Sequence, residues 1–310
     1  MTLAPTKPRV ASPPETSLRD QVDNALDESR MLILGAQVAL GFQFQATFQP
    51  AFSRLPDAAG TVILVGLVLM LIAVGLLLAP GAYHQIVERG DDSVELITFT
   101  NRVAGSALLP FALGMATDVY VTTIALSGET GAAALATAAA LFALFFWYGL
   151  EWIVRSPVRR PPPVTETELS TRIKQVLTEA RVVLPGAQAL LGFQFVAVLM
   201  DSFATLPKQA QYIHLASLGL MIVAIVFLMA PAAFHRIVEH GQDAPRVHTF
   251  ASIMLLSAMV PLALGIAGES YVVVLKVAQS QALAVATAGL ALLFFYGLWF
   301  GVTLAIRAAR

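Results

Sequence analysis

The chain has 310 residues, 57% of them hydrophobic and 13% charged, with a formal net charge of −1 and no cysteine. A soluble domain carries about 45–50% apolar and about 25% charged residues, so this composition points to lipid. It excludes disulfides, thiolate metal sites and cysteine nucleophiles, and a charge so near zero gives no bulk attraction for nucleic acid.

Residues 1–16 are polar and proline-bearing and read as disordered. They lack the early apolar region of a cleavable signal peptide, so the first span is expected to act as an uncleaved anchor. The segment 17–30 is amphipathic, with Leu18, Val22 and Leu26 at helical spacing. It reads as a helix on the membrane surface or as a docking helix for a partner. Four apolar segments follow, at 31–50, 60–80, 98–126 and 131–154, each long enough for a hydrocarbon core about 30 Å thick. Residues 60–80 contain no ionisable group. The run Pro161-Pro162-Pro163 reads as a stiff linker. A second amphipathic segment, 165–181, carries Leu169, Ile173, Val176 and Leu177 at helical spacing. It leads into four more apolar segments at 182–200, 212–231, 249–277 and 281–306. A backbone in lipid must satisfy itself, so these are helices. Pro110 and Pro261 are expected to kink the third helix of each set.

The second half repeats the first at an offset of 151 residues, as from Gly35 to Gly186. Gly35-Ala36-Gln37 recurs as Gly186-Ala187-Gln188, and Leu40-Gly41-Phe42-Gln43-Phe44 as Leu191-Gly192-Phe193-Gln194-Phe195. Ala79-Pro80 with Ala82 and His84 recurs as Ala230-Pro231 with Ala233 and His235, and Ile86-Val87-Glu88 as Ile237-Val238-Glu239. Apolar composition alone does not reproduce Gln, His, Glu and Pro in register. The expected fold is therefore all-α and polytopic, with about eight transmembrane helices as two parallel four-helix repeats. Its layout is a disordered stretch 1–16, a first unit 17–155, a linker 156–164 and a second unit 165–310. Gly66, Gly75, Gly105 and Gly114 are expected at close helix contacts. Lys and Arg gather at the N-terminus, at 81–97, 155–181 and 232–248, and at the C-terminus, which places both termini in the cytoplasm.

These repeated residues resemble a family of small bacterial membrane proteins of unknown function whose members look like one such unit. The resemblance covers most of 17–126 and 165–277. It implies a bacterial inner-membrane location and a covalent pseudo-dimer, and it implies no activity. The two units depart from each other where Arg89 becomes His240 and Asn101-Arg102 becomes Ser252-Ile253.

An ionisable group inside a span is costly and is a functional candidate by default. Asp118 and its repeat mate Glu269, each followed by a tyrosine (Tyr120, Tyr271), form a pair of acids able to line a path for an ion, a proton or a solute, or to sit near the headgroups at a helix end. Gln37, Gln43, Gln188 and Gln194 on the first helices, with Gln45 and Gln49 in the first unit only, either line that path or bond between helices. His84 with Glu88, and His235 with Glu239, share a helix face at a four-residue spacing. They offer a metal site, or two haem-ligating histidines, or plain interfacial residues. His214, His240 and His248 have no repeat mate and receive no role.

Phosphate loops, zinc-protease helices, nucleophile elbows and dinucleotide fingerprints are all missing from the sequence, so nothing calls for an enzyme, and no motif calls for a cofactor apart from the histidines. Three readings stay open: passage of an ion or small solute between the repeats, a non-transporting scaffold or regulatory subunit, and a metal- or haem-binding redox protein. The partners implied are the lipid bilayer, an ion or small solute, and a second copy or another protein; nucleic acid is not among them.

Overall fold

A computed structural model describes residues 18–149, 169–237 and 245–309, and among them every regular element is helical. The long helices are α1 (Leu18–Ala46), α2 (Asp57–Ile86), α3 (Val94–Leu144), α4 (Leu169–Val198), α5 (Lys208–Ile237), α6 (Pro245–Ala278) and α7 (Gln281–Tyr296). The last continues through a π-helical stretch, Gly297–Val302, into Thr303–Ala309. Ser93 and Ser280 cap α3 and α7 by accepting from the backbone N–H of Leu96 and Leu283, which satisfies donors that a helix start leaves free.

Among the described residues, six helical stretches are long and apolar enough to cross a bilayer: Asp57–Ile86, Val94–Leu144, Thr171–Val198, Lys208–Ala232, Pro245–Ala278 and Gln281–Ala309. By length and composition the chain is a multi-pass membrane protein. The difference from the expected eight has two sources. The expected span 31–50 yields only a short apolar helix, Leu32–Ala46. The expected span 98–126 and the first part of 131–154 fall within α3, whose 51 residues would reach about 77 Å if straight. It is not straight, because Gly128 stands at φ 67° and ψ 177°. Beyond it Trp147 stacks on Phe111 at 5.7 Å, and the Tyr148 hydroxyl donates to the Gly105 carbonyl. The C-terminal arm of α3 thus folds back along the N-terminal arm. In the second unit the repeat mate of Gly128 is Gln279, also left-handed at φ 51°, and it separates α6 from α7. The end of the bundle holding these two bends is here the turn end; the opposite one is the linker end.

The amphipathic segments are not separate surface helices. Each is the opening stretch of the same continuous helix as the span behind it, in α1 and in α4. Residues 1–16 and the linker 156–164 lie outside the described residues.

The halves pack intimately. Phe42 meets its own repeat mate Phe193 with ring centroids 4.7 Å apart. A methyl placed on Gly186 would sit 1.6 Å from Gln37 Oε1, so α1 and α4 approach through that glycine. Trp299, fully buried, donates from Nε1 to the Gly75 carbonyl at 2.8 Å and stacks on Phe295. Gly75 admits this approach, since a Cβ there would stand 2.2 Å from the Phe294 ring. Gly66 and Gly114 also make close contacts, to Thr117 and Met70, whereas Gly105 faces open space. One apolar core runs through both halves.

Candidate functional site

Two polar clusters sit inside this apolar bundle. The first is at the turn end. The Gln43 amide donates to Asp118 Oδ1 at 2.8 Å, and the repeat-equivalent Gln194 amide lies 3.4 Å from Glu269 Oε2. The same geometry thus recurs in each unit, an amide on the first helix holding a carboxylate on the third. The units then diverge. Asp118 is half-buried, while Glu269 is 1% exposed. Beside Glu269 lies His214, itself fully buried, with Nδ1 2.8 Å from Oε2 of the carboxylate and Nε2 3.0 Å from the Gln194 carbonyl. This brings an imidazole nitrogen and a carboxylate oxygen within ion-pairing distance in a place closed to water. Phe203 and Phe48 pack edge-on against the imidazole at 5.0 and 6.4 Å. In the first unit the place of His214 is taken by Ile63, which packs into apolar surroundings.

The other sequence candidates scatter. Tyr271 is buried in the core and Tyr120 packs beside Val121 and Ile124. Gln37 is buried at the α1–α4 contact, and neither atom of its amide finds a protein partner. Its repeat mate Gln188 is exposed, as is Gln49, and Gln45 is half-buried. Asp118 and Glu269 each bond within their own unit.

The second cluster is at the linker end. His84 is fully buried, and its Nδ1 meets Glu179 of α4; Glu88 does not share its helix face, because α2 ends at Ile86 and Glu88 lies in the turn beyond. Gln85 donates to the other Glu179 oxygen at 2.7 Å and accepts from the Ser252 hydroxyl at 2.6 Å. Gln175 donates to Asp92 at 2.7 Å, and Arg172 pairs with Asp91. Every one of these links joins a residue before 100 to one after 170. The start of α4 is therefore clasped onto the first unit, and Ser252, one of the positions where the repeats depart, takes part. Among the described residues no group of three His, Asp or Glu side chains stands close enough to hold a metal ion. The His235 side chain and Glu239 lie outside the described residues.

Sequence reasoning missed His214, Glu179, Asp92 and Lys276. The signal for His214 and Lys276 was present in the repeat itself, because each is an ionisable residue where the first unit has an apolar one, Ile63 and Ala125. Glu179 carried no such signal: its partner is 95 residues away.

An all-helical, multi-pass membrane protein with polar clusters between its helices is the class that fold and site define. A model of a family of unknown function, DUF6328, matches twice, over residues 13–151 and 165–303, and the chain belongs to that family as two tandem copies. No curated protein and no solved structure matches the chain.

Proposed function

We propose that the protein is an eight-span bacterial inner-membrane protein with both termini cytoplasmic, and that it passes protons or a small solute along a route beside the His214–Glu269 pair of the second unit. The observation that carries this reading is Glu269, 1% exposed with a fully buried imidazole 2.8 Å away. A buried ion pair is seldom the most stable filling of a core. The first unit supports the same helix packing with Ile63 at the equivalent place, so packing alone does not require the histidine. Ionisable groups at such depth mark proton relays and ion paths.

The eight-span count draws support from the reversal at Gly128 and from the apolar helix Leu32–Ala46. A parallel pairing of units about an axis along the membrane normal draws support from the Phe42–Phe193 contact, since a residue that touches its own equivalent lies on the axis relating the two copies. The orientation rests on the Lys and Arg distribution. The route differs from one shared between the repeats, because Asp118 and Glu269 are each held within their own unit. The scaffold reading draws less support, since Arg172, Gln175 and Glu179 of the segment offered to a partner are engaged by the first unit.

The test is proton flux into liposomes that hold the purified chain and a trapped pH-sensitive dye. Glu269→Gln and His214→Ile are each expected to lower the initial rate at least about ten-fold, as a lost relay group does. Asp118→Asn is expected to matter less. Wild-type rates in both second-unit variants overturn the reading.

A further inference from the structure

At the turn end a cavity of about 380 Å³ opens between the units, lined from the first by Thr47, Gln49 and Asp57 and from the second by Ser202, Lys276 and Gln279. Its size falls within the range of about 300–1,000 Å³ usual for small-ligand sites. Two opposite charges line it without closing on each other. Among the described residues Lys276 and Asp57 have no ion-pair partner, and the Lys276 ammonium instead sits 5.4 Å over the Phe48 ring. The walls beside them are fixed, with the Ser202 hydroxyl donating to the Phe48 carbonyl at 2.6 Å and Thr47 to Phe44 at 2.8 Å. The Gln49 amide is exposed. Phe48 joins this cavity to the polar cluster below, since its ring has the ammonium on one side and His214 at 6.4 Å.

The lysine is particular to the second unit, as is His214; the first unit has Ala125 and Ile63 there. A cation held over an aromatic ring rather than against a carboxylate keeps its donors available. A carboxylate in the first turn of α2, where the helix dipole favours it, is held in place without a basic partner.

We propose that this cavity binds a small zwitterionic solute of amino-acid type, its carboxylate on Lys276 and its ammonium drawn to Asp57. This rests on the passage reading above and names the solute class that enters the route. A zwitterion satisfies both charges at once, whereas a simple anion leaves Asp57 opposing it and a simple cation meets Lys276.

The test is calorimetric titration of the full chain in detergent with three probes of similar size: L-alanine, propionate and propylamine. L-Alanine is expected to bind in the millimolar range, with the other two at least about ten-fold weaker. Lys276→Met and Asp57→Asn are each expected to weaken L-alanine at least about ten-fold, while Lys276→Arg retains it and guards against a folding defect. Equal responses to all three probes, L-alanine binding that survives Lys276→Met, or no heat from any probe overturns the proposal. His214→Ile separates the two readings. Lost flux with intact L-alanine binding supports both; flux that survives in His214→Ile and Glu269→Gln with binding intact sinks the route alone; lost flux in a protein that never binds L-alanine sinks the zwitterion alone.

Discussion

Glu179→Ala tests the clasp at the linker end most directly. Glu179 is 7% exposed and His84 is fully buried, so the pair is removed from water on both sides. Breaking a buried ion pair by deleting one partner costs about 3–5 kcal/mol, because the remaining group is left uncompensated. Here the deletion strands two groups, the His84 imidazole and the Gln85 amide that donates at 2.7 Å, and an unmatched buried donor adds about 1 kcal/mol or more. Glu179→Ala is therefore expected to cost about 4 kcal/mol, and His84→Ala about 3 kcal/mol, since Gln85 keeps its acceptor in that variant. The double variant His84→Ala with Glu179→Ala removes both members. It is expected to cost about 5 kcal/mol, against about 7 kcal/mol for the two single changes added, giving a coupling of about 2 kcal/mol. The assay is reversible unfolding in mixed micelles by SDS titration, followed by tryptophan fluorescence. A protease site inserted at 156–164 adds a second readout: after cleavage the two units should co-purify, and Glu179→Ala should weaken that association. A cost of about 0.5 kcal/mol or less for Glu179→Ala, as for an exposed pair, or simple additivity in the double variant, refutes the reasoning.

Three further outcomes are expected. Gly268→Ala drives a methyl to 2.2 Å from Ser217 Oγ and should cost about 1–3 kcal/mol by overpacking; adding Ser217→Gly should recover most of it, in the same unfolding assay, because the first unit has the reverse arrangement of Gly66 against Thr117. Trp299→Ala empties a fully buried site and loses the bond to the Gly75 carbonyl, for a loss of about 3–5 kcal/mol, whereas Trp299→Phe should lose about 1–2 kcal/mol. Replacing the pair His214 and Glu269 together by Ile and Leu should leave stability unchanged or raise it by about 1–4 kcal/mol while abolishing flux; a large destabilisation would assign the pair a structural role.

Much of the helix content was legible because a bilayer imposes length and apolarity on every crossing segment. The repeat was legible because polar residues recur in register. Gln43 with Asp118, and Gln194 with Glu269, were named as candidates from sequence, and each pair bonds directly. The segments before each first span were read as helices on the membrane surface or as docking helices for a partner, because amphipathicity is the same whether a helix lies in the membrane plane, docks or continues a span. What separates the cases is a partner distant in the chain. Asp91, Asp92, His84 and Gln85 supply it for α4, and nothing local in 165–181 encodes them. His84 with Glu88 shows the converse. Their four-residue spacing puts them on one face only if the helix continues, but α2 ends at Ile86, and the imidazole meets Glu179 across the unit boundary.

The differences between the units follow from the duplication. In a homodimer each substitution appears twice, on both sides of the axis, so a buried charge introduced for function is incurred in both copies. Joining two copies in one chain removes that constraint. The second unit holds His214 beside Glu269 and Lys276 at the cavity wall, while the first keeps Ile63 and Ala125 at the equivalent places. The bends at Gly128 and Gln279 and the Met70–Gly114 and Met221–Gly265 contacts match in both units. Shared backbone geometry with a buried histidine and a cavity lysine in the second unit alone is the pattern expected when one copy keeps the frame and the other is free to take on new polar contacts. On that argument the first unit serves as the built-in control for every measurement on the second.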